Sequence, residues 1–143
     1  MNGPGASPGF HVGAETTRTT GWRAAQHAST QDYELLTTTA IPQWDVGKQQ
    51  VRLLTLLAST THTMAFPIGI KRGATYILYA KQPASTGAAA ISWTNQVGVA
   101  PLGVWRWPAA TAPTITTTAG AATMLTFFCD GIDMIGVSVL DLR

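Results

Sequence analysis

From Tyr33 onward, every run of β-forming or apolar residues is stopped within about nine residues by proline, glycine or a small polar cluster. Tyr33–Ile41 ends at Pro42. Val51–Ala58 ends at Ser59-Thr60-Thr61, and Ala74–Lys81 at Gln82-Pro83. Runs this short rule out a helical bundle, which needs apolar positions recurring at helical spacing over three or more turns. They predict strands joined by short turns. Leu53, Leu54, Leu56 and Leu57 would fit a helix as well as a strand, but the stop after about eight residues favours a strand.

Ala74–Lys81 alternates Thr75, Ile77, Tyr79 and Lys81 on one face with Tyr76, Leu78 and Ala80 on the other. Both faces are largely apolar, which predicts a mid-sheet strand covered on both sides. Lys71-Arg72-Gly73 predicts the turn before it. Ala88–Trp93, Leu102–Trp107 and Thr114–Thr118 read as further short strands. Ala122–Cys129 follows with Leu125, Phe127 and Cys129 on one face. Asp130-Gly131 marks a hairpin into Ile132–Leu140, where Ile135, Val137 and Val139 are expected to point inward. No fixed-period repeat stands out. The expected fold is all-β: an antiparallel β-sandwich, jelly-roll-like, with an extended N-terminal arm. The arm is assigned to residues 1–45 and the sandwich module to residues 46–143.

Residues 1–31 have a different composition. Glycine and proline punctuate the first thirteen, and Thr16-Thr17-Arg18-Thr19-Thr20 follows. Such a stretch cannot bury enough apolar surface to fold alone, so it reads as a tail or as an arm that orders against a partner. Phe10 and Trp22 are the candidate anchors of that arm. Trp22–Ala28 could form two helical turns capped by Thr20.

Charge narrows the function classes. Only 11% of the 143 residues are charged, against about 25% in an ordinary soluble domain. A surface so poor in charge is expected to be covered in part by other protein. The net charge is +2, and Lys71-Arg72 is the only adjacent basic pair, so the clustered cations of a nucleic-acid footprint are absent. Residues 1–15 lack the basic start and apolar stretch of a signal peptide. No run of about 18 apolar residues predicts a membrane-spanning helix. No membrane partner is expected.

The catalytic inventory is thin. His11, His27 and His62 fall into no metal-ligand or general-base spacing, and Cys129 sits in an apolar run, as a buried residue would. Gly47-Lys48 lacks the rest of a phosphate-binding loop. Asp130 and Asp133 flank one turn, where aspartate bonds its own backbone, and one hairpin tip makes a poor sugar cleft. No catalytic residue, cofactor or metal is assigned. Trp93, Trp105 and Trp107 are the informative cluster. Trp105 and Trp107 share a strand face, while Arg106 points the other way. They suit a core or subunit interface, or else a glycan-stacking platform.

Three stretches then carry a resemblance. The first runs Gly73–Gln82, then Ala90-Ile91-Ser92-Trp93, then Val104-Trp105-Arg106-Trp107-Pro108. The second is Ala112-Pro113-Thr114-Ile115-Thr116-Thr117-Thr118-Ala119-Gly120-Ala121. The third is Met124-Leu125-Thr126-Phe127-Phe128-Cys129-Asp130-Gly131, closing with Gly136-Val137. Their order and spacing over about residues 50–142 resemble a β-rich module of tailed-bacteriophage virion proteins, including head-fibre and tail-fibre-like chains. Ile132-Asp133-Met134-Ile135 departs from that module, which has small polar residues and an aromatic there. The resemblance implies a non-enzymatic virion structural protein, made in the host cytoplasm and assembled as a homotrimer. The arm would dock it onto the major capsid protein or a tail or connector protein. A chain of 143 residues leaves little length for a shaft, which favours capsid decoration or a head-fibre-like role. The alternative is a tail fibre or tail tip binding a host receptor or surface glycan through exposed aromatics.

Overall fold

The computed structural model describes residues 33–143. The expectations for Phe10, Trp22 and the Trp22–Ala28 helix lie outside the described residues. The described part is all-β; its one helical element is a short 3-10 turn at Pro108–Ala110.

Eight strands form: β1 (Glu34–Leu35), β2 (Val51–Thr55), β3 (Thr61–Ala65), β4 (Thr75–Lys81), β5 (Ala90–Thr94), β6 (Trp105–Arg106), β7 (Ala122–Cys129) and β8 (Met134–Leu142). Six make one sheet in the order β1-β2-β4-β7-β8-β6, and β3 pairs with β5 in a second. The chain reaches this by winding. β1, β2 and β4 stack in parallel on one side, while Ala40, β3 and β5 stack in parallel on a second. Asp45 bridges Ile68 on a third. The result is β-solenoid-like: successive coils lie on one another and bury a shared interior. The expected antiparallel arrangement holds only where β7 joins β4 and β8. Hairpin signals are local, whereas parallel pairing joins segments some twenty or more residues apart, which turn chemistry does not reveal.

The interior shows why these runs became strands. Leu54, Leu56, Met64, Tyr76, Leu78 and Ala80 alternate inward and are buried. Leu36, Ile41 and Trp44 join the same core, so residues 33–45, assigned to the arm by sequence, form the first coil. At one corner the ladder runs on through Leu36 N–H to Thr55 O, Leu56 N–H to Lys81 O and Gln82 N–H to Ala121 O, at 2.9, 2.9 and 2.8 Å. Leu36 and Leu56 are buried there, and so is the polar Gln82. Its amide donates to the carbonyls of Ala89 and Thr116 and accepts from Ala89 N–H, so each of its polar atoms is satisfied.

Several expected strands are shorter. Tyr33–Ile41 contributes only Glu34–Leu35 and a bridge at Ala40, Leu102–Trp107 only Trp105–Arg106, and Thr114–Thr118 none. The β6 ladder stops at Arg106, and Pro108, two residues on, has no N–H with which to resume it. β4 is central in the sheet, but only one of its faces is buried; Ile77 and Tyr79 are half-exposed.

The hairpin forms at Asp130-Gly131, with Gly131 at φ 109°. Asp130 Oδ1 accepts from Asp133 N–H at 2.8 Å and Ile132 N–H at 2.9 Å. These two bonds, Asp133 first, hold the carboxyl below its ordinary range. A lowered folded value means that the turn's stabilisation is present above the usual Asp range and is lost as pH falls through the folded value. The Asp130→Asn variant keeps an oxygen acceptor but not the titration. Its hairpin stability, followed by amide exchange, is expected to be flat across that acid window while the wild type declines.

Candidate functional site

Two features of the described residues bear on function: an aromatic cluster inside, and a bare sheet face outside. The cluster is built where β5, β6 and β7 converge. Trp93 lies 4.9 Å, ring centre to ring centre, from both Trp105 and Trp107. Phe127, on the inward face of β7, sits 5.2 Å from Trp105 and 5.7 Å from Trp107, and Phe66 lies 5.4 Å from Trp105. Most of these pairs are edge-to-face or tilted, the arrangement that ring quadrupoles favour. Trp105 is only 7% exposed and donates its indole N–H to Thr94 O at 3.0 Å. Trp93 and Trp107 are half-buried against the core.

Glycine makes this packing possible. A Cβ on Gly136 of β8 would lie 2.4 Å from Trp107 and 2.8 Å from Phe127. The strand must therefore present a bare backbone to the two rings.

Trp107 also borders two open cavities. One, of about 330 Å³, is lined by Asn95, Val104, Trp105, Arg106, Trp107 and Ala110. The other, of about 260 Å³, runs along Pro108, Thr111 and Pro113 to Val137 and Ser138. Some of the polar atoms at the first are engaged within the fold, while Asn95 Nδ2 and the Arg106 terminal nitrogens face outward. Asn95 accepts from Trp105 N–H, and Arg106 is paired with Asp133, whose other oxygen accepts from Val104 N–H.

Of the other candidates for chemistry, His11 and His27 lie outside the described residues. His62 is buried on β3, where Nε2 accepts Leu57 N–H at 3.0 Å; its Nδ1 has no partner among the described residues. Cys129 is buried. No group of three or more His, Cys, Asp or Glu side chains gathers among the described residues. Nor is any helix among them long and apolar enough to cross a membrane.

The bare face corrects a sequence expectation. Ile135, Val137 and Val139 point outward, with Val137 54% exposed. Phe127 pairs with Gly136 and Cys129 with Met134, so the inward positions of β8 belong to Met134 and Gly136. Cross-strand partners carry the outward row across the sheet. Val51, Ile77, Thr126 and Val137 lie side by side, and so do Leu53, Tyr79, Met124 and Val139. Thr75, Phe128 and Ile135 form a third row. None of these eleven residues is charged. Lys81 stands beyond them at the end of β4, with its ammonium 5.6 Å from the ring centre of Tyr33.

Compared with known protein families, curated proteins and solved structures, the chain finds no match.

Proposed function

We propose that this chain is a non-enzymatic virion structural protein of a tailed bacteriophage. It works as a homo-oligomer, with threefold symmetry as the resemblance implies, and decorates the capsid in a head-fibre-like manner. Its N-terminal arm, with Phe10 and Trp22 as anchors, docks it onto the major capsid protein or a tail or connector protein. The antiparallel sandwich of the sequence reading is replaced here by a solenoid-like module closed by the β7–β8 hairpin. The observation that carries the reading is the uncharged outer sheet face. A chain that works alone in water does not ordinarily leave three adjacent rows of a sheet so poor in polar groups. A subunit of an assembly does.

The placement of the other residues supports a structural role over an enzymatic one. Trp93, Trp105 and Trp107 turn toward one another and toward Phe127, so their rings serve packing. The rival reading, a tail tip gripping a host glycan, draws support from Trp107, which borders both cavities, and from Asn95, Trp105 and Arg106, which line the first with it.

Quantitative mass spectrometry of purified virions tests the proposal. The expected count is tens to hundreds of copies, tracking the symmetry sites of the capsid. A few copies in multiples of three would move the protein to the tail, and absence from virions would end the reading. Deleting residues 1–31 is expected to leave the β module folded, with a cooperative unfolding transition retained, and to abolish incorporation into particles. Normal incorporation of the shortened chain would refute the docking role.

A further inference from the structure

We infer that the two cavities sharing Trp107, at the end of β6, form a docking site for an extended, proline-rich segment of another protein chain. The inference goes beyond the capsid reading, because it concerns a partner of the β module rather than of the N-terminal arm. Three observations point to that occupant.

The first is shape. Trp107 borders both the 330 Å³ and the 260 Å³ cavity, and the turn that follows it walls both, with Ala110 on the first and Pro108 and Thr111 on the second. A polyproline II helix repeats every three residues, or about 9 Å, and docks against aromatic ridges with its rings in the pockets between them. An indole with an open pocket on each side is such a ridge. Trp93 and Phe127 hold the Trp107 ring at 4.9 and 5.7 Å, so it is in place before a ligand arrives.

The second is hydrogen bonding. At the first cavity Asn95 Oδ1 is taken by Trp105 N–H, which leaves the two Nδ2 donors. Arg106 Nε is taken by Asp133, which leaves the terminal guanidinium donors. The indole of Trp107 adds a donor and no acceptor. The side chains there are thus set to donate. A proline-rich chain is their complement, since it keeps its backbone carbonyls and lacks N–H groups. A sugar hydroxyl both donates and accepts, and half of that capacity would go unmet against these side chains. The second cavity places Pro108, Pro113 and Val137 beside the Trp107 ring, apolar walls that suit a pyrrolidine.

The third is backbone strain. Ala109 and Ala110 both stand in the left-handed region, at φ 55° and 57°, where a residue with a Cβ is strained. Ala110 N–H to Trp107 O at 2.9 Å and Thr111 N–H to Pro108 O at 3.2 Å hold them there. Strain of this kind gathers at ligand clamps. Here the turn that bears it is the wall common to the two cavities.

The test is titration of the full chain with decaproline, followed by NMR at the Trp107 indole N–H and the Asn95 side-chain amide. Both resonances are expected to shift saturably, and a glycine–serine decapeptide is expected to move neither. Asn95→Asp keeps the oxygen that accepts from Trp105 N–H and removes the donors; Trp107→Phe keeps a ring and removes the indole N–H. Each is expected to weaken decaproline about tenfold while the rest of the spectrum stays in place. Decaproline that leaves both wild-type resonances unmoved would overturn the inference, with no variant needed. So would equal affinity for the wild type and both variants. Lactose or N,N′-diacetylchitobiose shifting these resonances where decaproline does not would overturn it in favour of the tail-tip reading. The virion copy number is measured independently, so failure of this site leaves the capsid reading standing, and failure of that reading leaves the site.

Discussion

Replacing Phe127 by alanine is expected to destabilise the β module by about 3–5 kcal/mol. Phe127 is fully buried at the meeting point of two groups of rings. Trp44 of the first coil lies 6.2 Å away, and Trp93, Trp105 and Trp107 lie between 5.2 and 5.9 Å. Removing the ring leaves a cavity that none of these neighbours can fill. Trp44 is held by its indole N–H on Gln49 O at 2.7 Å, and Trp105 by its bond to Thr94 O. Gly136, directly across the strand pair, has no side chain to move in. Phe127→Leu keeps most of the volume and is expected to cost about 1–1.5 kcal/mol. Denaturant midpoints measure both. A Phe127→Ala cost below about 1 kcal/mol would mean that the cluster is not a rigid core. Exposed, ligand-gripping tryptophans would then become the better account of Trp93, Trp105 and Trp107.

The same residue shows what could be read from the sequence. Strict alternation in Ala122–Cys129 placed Leu125, Phe127 and Cys129 on one face, and that face is the buried one. The Asp130-Gly131 turn was legible because its chemistry is local. The orientation of β8 was not. Ile135, Val137 and Val139 share a face by alternation, but alternation does not say which face is the core. Hydrophobicity chose the wrong one, because the true inward positions hold a glycine demanded by two aromatic rings. The exposed apolar face was therefore hidden by the usual equation of apolar with buried, which Ile135, Val137 and Val139 violate.

The solenoid-like winding was hidden for another reason. Glu34 stacks on Leu54 and Leu54 on Ala80, steps of 20 and 26 residues, while Ala40 stacks on Thr63 after 23. Coils of unequal length leave no fixed period for a repeat search to find. The stacked positions also differ in kind, with Leu36 and Leu56 followed by Gln82 at one corner. What repeats is the backbone ladder, which side-chain identity does not report.

A buried arginine carries the second large effect. Arg52 points inward from β2 and is 3% exposed. Its guanidinium is held by the first coil: Nη2 donates to Glu34 Oε2 at 2.8 Å, Nε donates to the same oxygen at 3.1 Å, and Nη1 donates to Pro42 O at 2.7 Å. Glu34→Ala removes the only carboxylate bonded to it and strands a buried cation with a single carbonyl. The expected cost is about 3 kcal/mol, at the low end for a broken buried pair because the Glu34 side chain is itself 36% exposed and partly screened. Arg52→Met should cost less, about 1–2 kcal/mol, because Glu34 can turn to water and a thioether suits the apolar interior. The double variant Glu34→Leu/Arg52→Met is expected to recover most of the Glu34→Ala loss, since no charge is then left unpaired. Urea midpoints rank the three. Amide exchange at Leu36 and Ile41 locates the damage, because both N–H groups bond across from the first coil to the second. If Glu34→Ala lies within about 1 kcal/mol of wild type, or if Arg52→Met costs more than Glu34→Ala, the pair does not hold the first coil in place. The docking of that coil would then rest on the packing of Leu36, Ile41 and Trp44 alone.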